Sequence, residues 1–510
     1  MSTRIISTPI VGSPLARMAI DGTADPDWFV KRPASPAEWK ERADLVRQSL
    51  IMPDWLSALG PAFGATGKAA ERLQSAARSG IAVTAGQQPG LFGGPLYTWW
   101  KALSAVALAD RLEEQTGLPA VPIFWAATDD SDFAESASTV VTGAEGAERI
   151  EMSAHGPVGA ALSDMPLGDV SRELARLAAA AGSAPNPGIL EVVRRAYTPE
   201  HTIGSAYVEL LRAVLEPLGV AVLDASHPAV REAAFPLLRR AVSSAEQIEG
   251  ALTERARALK AAGHSAQVKL VKGRTLVFAG VSGKRDRIRM REIESALEHG
   301  KPGTFGPNVL LRPIVERSIL PTVGYIGGPA EIAYFAQVTA VARALEVPPP
   351  LVLPRWSGLV VEPRIERILE RYSLAVDDFR DPHAVESRIA KESLPPGLVA
   401  RIRQLEQSVD QSVEELTRAE GADLVAPSVL EGLRRGVLHR IERLERRFAA
   451  SVKRKGNEAL RDAAIARGAL FPLGTPQERA LNIVPLLARH GDELFASVMR
   501  EARAHAARLA

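Results

Sequence analysis

The sequence predicts an α/β protein with a parallel-sheet core and a C-terminal α-helical arm. Three observations predict it. Short β-like runs alternate with helical runs through the first half. One of them, residues 121–127 (VPIFWAA), is apolar without interruption. After about residue 385, apolar residues settle into three- and four-residue spacing. A continuous apolar run marks a strand buried on both faces, and strands alternating with helices imply βαβ units.

Taken in order, residues 81–85 form a short apolar run ending in Gly86, and 101–114 read as a helix with apolar residues at Leu103, Val106, Ala107 and Leu112. Residues 121–127 are the second strand, ending in an acidic loop. Residues 205–218 read as a helix and 219–225 (GVAVLDA) as the third strand. Residues 144–200, rich in Ala, Gly and Pro, read as an insertion with helical periodicity at 170–181 and 189–196. Residues 267–280 alternate on both sides of Gly273 and Arg274, which predicts a hairpin. Further strands are expected at 320–326 and 350–353.

In the last part, Ile402, Leu405, Val409, Val413 and Leu416 share one stripe. Leu430, Leu433, Val437, Ile441, Leu444, Phe448 and Val452 share another, with Gly421 and Pro427 between the two. Helical hairpin or coiled coil is the expectation. An apolar stripe this long favours a dimerisation arm, the alternative being a packing arm. The expected boundaries are 1–143 for the first part of the core, 144–200 for the insertion and 201–384 for the second part with a further insertion. The arm then takes 385–465 and a helical segment 466–510.

Composition sets limits on function. With 510 residues, 46% hydrophobic and 24% charged, the chain is globular and long enough for several structural units. A net charge of +2 argues against nucleic-acid or membrane-surface partners, and no stretch approaches the apolar length of a membrane helix. The expected compartment is the cytoplasm. There is no cysteine, which removes disulfides, thiolate metal sites and a cysteine nucleophile. The histidines stand apart, none at HxH or HxxxH spacing, so no histidine metal site is expected.

Three segments carry candidate chemistry. The first is GQQPGLFGGPLYTWWK, with Gly86, Gln87, Gln88, Gly90, Gly93, Gly94, Tyr97 and Lys101. It lies between a strand and a helix, where ligands bind in an open α/β sheet, although it is neither GxGxxG nor a Walker A loop. A glycine-rich turn can equally be structural; the two adjacent amides and Lys101 favour a ligand. Trp99, Trp100 and Trp125 read as core, with Trp100 a possible cavity wall. The second is TDDSDFAE, where Asp129, Asp130, Asp132 and Glu135 crowd together. Such acids can hold Mg²⁺, bind a substrate ammonium or act as general base; the plain alternative is a solvated helix start. The third, residues 308–334, contains Asn308, Arg312, Gly327, Gly328 and Glu331. Arg312 must either pair with an acid such as Glu316 or read an anionic ligand. Three strand ends of this kind imply one shared crevice.

These segments carry a family likeness. AGQQPGLFGGPLYTWWKALSAVALA, VPIFWAATDDSDFAE, PNVLLRPIVERSILPTVGYIGGPAEIAYFAQV, PPPLVLPRWSGLVVE and FPLGTPQERALNIVPLLARHG resemble, in order, the motifs of the BshC family. The resemblance runs from about residue 80 to 495. It implies a Rossmann-like core with inserted connecting-peptide domains, a C-terminal coiled coil and a homodimer. It also implies a cysteine ligase of bacillithiol biosynthesis, which joins cysteine to the amine of glucosaminyl-malate, with ATP as the expected activator. The residues named in the three segments fall on the family's motifs. Two positions depart from it: Ser131 and Ser138 stand where the family pattern has histidine. A different amino acid or amine, or a non-catalytic nucleotide or small-molecule binding protein, is the alternative expectation.

Overall fold

A computed structural model describes residues 3–143, 146–157, 159–281, 284–381, 383–455 and 458–510. The chain divides into two compact units. One comprises Thr3–Val141, Arg149–Val360 and Glu478–Ala510; the other is mainly Val361–Gln477 together with Thr142–Glu148.

The larger unit is built on a five-stranded parallel sheet. Its strands are β1 (Ile81–Gln87), β2 (Ala120–Ala126), β3 (Ala221–Asp224), β7 (Thr322–Gly327) and β8 (Val352–Pro354), in the spatial order β8-β7-β1-β2-β3. Between β3 and β7 the chain forms a small antiparallel sheet of β4 (Arg274–Val281), β5 (Lys284–Arg289) and β6 (Phe305–Pro307). β2 is buried along its whole length, as its uninterrupted apolar run requires. Successive strands step outward from β1 to β3, and the chain then returns to the other side of β1 for β7 and β8. That reversal opens a crevice beyond the carboxyl ends of β1 and β7. Register aligns these ends, with Gln87 beside Ala126, Ala126 beside Asp224, and Ile326 beside Ala85.

Helix α1 (Leu96–Thr116) follows β1, and is longer than the sequence predicted. It is buried nearly all round, so its ends are set by Pro95 at its start and Gly117, at φ 71°, after its end. Helices α2 (Pro228–Ser243), α3 (Arg312–Ile319) and α4 (Pro329–Ala344) complete the surroundings of the crevice.

The predicted hairpin is displaced. Residues 267–272 form no strand, and Arg274 opens β4, whose partners are β5 and β6. The reason is local. The Val268 N–H donates to Gln337 Oε1 at 2.9 Å, and Gln337 Nε2 donates back to the Val268 carbonyl at 2.8 Å. A side chain on α4 thereby satisfies backbone groups that a strand partner would otherwise take.

The smaller unit is helical. Its longest helices are α5 (Pro396–Arg418) and α6 (Pro427–Lys455), and Arg434 Nε bonds Asp410 Oδ1 between them at 2.7 Å. Ile402 and Ile441 are buried, whereas Leu405, Leu416, Leu433, Leu444 and Phe448 of the same stripes are exposed. The side chain of Val452 lies outside the described residues. No helix among the described residues is long and apolar enough to cross a membrane.

Candidate active site

The glycine-rich loop after β1 is shaped by its own packing. Phe92, Gly93 and Gly94 all have positive φ, and a Cβ at Gly93 would stand 2.6 Å from the Trp99 ring. Asn482 Nδ2 donates to the carbonyls of Leu91, Phe92 and Gly94, while the Tyr197 hydroxyl bridges Gly93 N and Gly90 O at 3.3 Å each. Gly90, Gly93 and Gly94 therefore fold the loop and do not line the crevice, contrary to the expectation of close ligand approach. Gly86, Gln87 and Gln88 do line it, together with Tyr97 and Lys101.

These residues wall a cavity of about 480 Å³ at the end of β1. Lys101 is buried, and its ammonium meets Glu331 Oε2 at 2.5 Å, the Gly86 carbonyl at 2.8 Å and Gln87 Oε1 at 3.0 Å. Those contacts use all three of its donors. Lys101 thus holds Glu331 and the end of β1 in place, and its ammonium has no further donor to offer a ligand anion. Glu331 also accepts from Tyr325 Oη at 2.5 Å and from Gly328 N at 2.8 Å. Burial favours its neutral form, but the Lys101 ammonium and these hydrogen bonds outweigh it and hold its carboxyl below the ordinary glutamate value of 4.5. Burial in turn lowers Lys101, opposed by the Glu331 carboxylate.

Arg312 opens α3 after an Asn308 turn, in which Asn308 Oδ1 accepts from Leu310 N and Leu311 N at 3.2 and 3.0 Å. Of the two alternatives set for Arg312, the structure shows the ion pair with an acid. Its Nη1 pairs with Glu316 at 2.7 Å and its Nη2 donates to Tyr325 Oη at 3.0 Å, while the residue also lines the cavity. Glu316 is buried, and Thr84 Oγ1 also donates to it. Desolvation raises its carboxyl, with Arg312 opposing.

The acidic segment divides. Asp129 and Asp130 line the cavity with Ser131, whereas Asp132, Glu135 and Ser138 do not. Asp130 Oδ1 accepts from the backbone of Ser131 at 2.6 Å and Asp132 at 3.2 Å, and Asp132 Oδ1 accepts from Glu135 N at 3.1 Å. Two of the acids thus shape their own turn. Glu135 backs onto Tyr97, whose Oη lies 3.4 Å away, and burial followed by the Asp132 charge raises its carboxyl. No group of three or more His, Asp, Glu or Cys placed to hold a metal ion is found among the described residues. Gly327 also lies outside the lining, while Asn308, Gly328 and Glu331 belong to it.

Several lining residues were not singled out from the sequence: Arg287 on β5, Tyr325, Arg355 and Arg479. Trp125, not Trp100, is the tryptophan of the wall, since the Trp100 indole is buried against Gly358 and Trp356. Buried N–H donors gather on this lining. Gln88 Nε2, Trp125 Nε1, Asn308 Nδ2 and Arg355 Nε have no hydrogen-bond partner among the described residues. Each such donor costs about 1–3 kcal/mol when left unpaired. A second cavity of about 270 Å³ adjoins the first and shares Trp125, Asp129, Phe278 and Pro307 with it. It runs to Val230 and Arg231 in the first turn of α2.

Comparison with known proteins agrees with this architecture over nearly the whole chain. Residues 13–356 match the model of the N-terminal Rossmann-like domain of the bacillithiol biosynthesis protein BshC, and 358–508 match its C-terminal coiled-coil domain. A protein of Solibacter usitatus named "Putative cysteine ligase BshC" is 36% identical over 435 residues, 82% of each chain. One of Koribacter versatilis with the same name is 32% identical over 461 residues, covering 86% of this chain and 85% of the relative. One of Symbiobacterium thermophilum, again so named, is 27% identical over 533 residues, 93% of this chain and 94% of the relative. With both of its domain models matched in order and a relative 36% identical over most of its length, the chain belongs to the BshC family.

Proposed function

We propose that the protein is a cysteine ligase of bacillithiol biosynthesis, joining the carboxyl of cysteine to the amine of glucosaminyl-malate. The names of the relatives support the ligase reading. The observation that carries the choice of amine substrate is the set of unpartnered N–H donors on a lining that also holds Arg287, Arg312, Arg355 and Arg479. Buried donors of this kind are retained where a ligand satisfies them, and a dicarboxylate such as the malate moiety offers the acceptors.

Asp129 lies on the wall shared by the two cavities. In this reading glucosaminyl-malate occupies the larger one and the activated cysteine carboxyl the smaller. The amine nitrogen forms a bond to the carboxyl carbon, the bond from that carbon to its phosphate-bearing leaving group breaks, and Asp129 takes the proton from nitrogen. ATP supplies the leaving group, because amide formation from a free carboxylate in water runs uphill, and Mg²⁺ arrives with the triphosphate. The same reading carries a homodimer formed through the helical arm and a cytoplasmic location.

The Asp129→Asn protein tests the assignment. Its kcat is expected to fall roughly 10²-fold or more, with glucosaminyl-malate still bound. Undiminished product formation, measured by mass spectrometry, would remove Asp129 from the chemistry.

A further inference from the structure

Arg355 reaches the cavity from the segment after β8, outside the three segments first singled out. It is 4% exposed, yet it is a cation on the cavity lining. Its guanidinium is held end-on. Nη1 donates to Glu478 Oε2 and to the Trp356 carbonyl, both at 2.8 Å, and Nη2 donates to Glu478 Oε1 at 2.6 Å. Those contacts use three of its five N–H donors, and the Nε–H has no partner among the described residues. It lies 3.8 Å from the place a Cβ would take at Gly328, which is itself part of the lining, and the guanidinium sits 5.9 Å from the Tyr97 ring centre.

Glu478 is equally committed. Its Oε2 also accepts from Ser357 Oγ at 2.9 Å and from Gly358 N at 3.4 Å. The carboxylate is therefore fixed from several sides, and it fixes the arginine in turn. A plain latch between the segment beginning at Glu478 and the core would need only the two Nη groups. It would give no reason for leaving a buried, charged N–H without an acceptor beside a glycine that keeps space open.

We infer that Arg355 is a substrate-binding residue, donating its Nε–H to an anionic oxygen, and that Glu478 is its positioning residue. The segment Glu478–Ala510, which also supplies Arg479 to the lining, thereby completes the site. The inference rests on the proposed ligase reading only in naming that oxygen as a carboxylate of the malate moiety.

The probe is L-malate, titrated calorimetrically into the full-length protein and its variants, with melting temperature and cysteine-ligation product recorded in parallel. Arg355→Lys keeps a cation beside Glu478 but has no Nε–H fork. It is expected to bind malate at least tenfold more weakly at a melting temperature near wild type. Glu478→Gln should weaken binding in the same direction. Arg355→Met should abolish it; if that variant does not fold, the lysine variant decides. Unchanged malate affinity in Arg355→Lys, with or without a fall in melting temperature, would reduce the pair to a structural latch and overturn the inference. So would a wild-type protein that binds no malate. Malate binding that depends on Arg355, with no ligation product, would sink the ligase reading and leave the inference standing.

Discussion

Around Lys101, Glu331, Tyr325 and Arg312, charges sit in the interior because each is matched by another group. Removing one partner strands the others. Lys101→Met is expected to cost about 3–5 kcal/mol of folding stability, measured by urea unfolding, because the Glu331 charge would remain buried without its ammonium. The pH dependence has a definite sign. The Glu331 carboxyl is held below 4.5 in the folded state, so its contribution is fully present above that value and is lost as pH falls through the lower folded value. The stability difference between wild type and Glu331→Gln should therefore be constant above about 4.5 and shrink below it. A difference that grows on acidification would contradict this account of the network. At this scale the lining positions of Gln87, Gln88 and Asp129 were legible because each follows an apolar strand run, and that of Arg312 because a buried cation needs a partner. Arg355 and Arg479 were not: neither follows a glycine-rich strand end, and no spacing rule links them to residues far away in the chain. That the Lys101 ammonium is saturated depends on a carboxylate from another helix, which no local pattern carries.

Among the elements, the glycine-rich loop teaches most about misreading. Four glycines after a strand read as a ligand cradle, yet three of them serve packing and only Gly86 reaches the lining. Gly93→Ala should destabilise the protein by more than about 1 kcal/mol, since φ is 88° and the added methyl would meet the Trp99 ring. Hydrogen exchange of residues 90–96 would report the loosened loop; protection equal to wild type would count against this role. The strands of the sheet were legible from short apolar runs alternating with helical segments, and β2 from a run without interruption. The hairpin was misplaced because alternation at 267–272 is satisfied by the Gln337 side chain, a tertiary contact that mimics a strand partner.

The molecule as a whole joins an α/β unit that carries the crevice to a helical unit whose apolar stripe is only partly covered. More than half of the exposed large apolar residues among those described lie between Leu405 and Phe448. Stripes of that kind on a helix pair are expected to close against a second copy. Deletion of residues 398–455 should convert a dimer to a monomer in light scattering coupled to gel filtration; a full-length monomer would remove the dimer from the account. Fold and family were readable because several collinear motifs span most of the chain. The substrates were not, since Ser131 on the cavity wall stands where the resemblance implies a histidine. The most direct test is to offer the purified protein glucosaminyl-malate, ATP and each of a panel of amino acids in turn, scoring product by mass. The account predicts a product of cysteine plus glucosaminyl-malate less one water, formed with cysteine far faster than with any other amino acid. No condensation product, or a product formed preferentially with another amino acid, would contradict it.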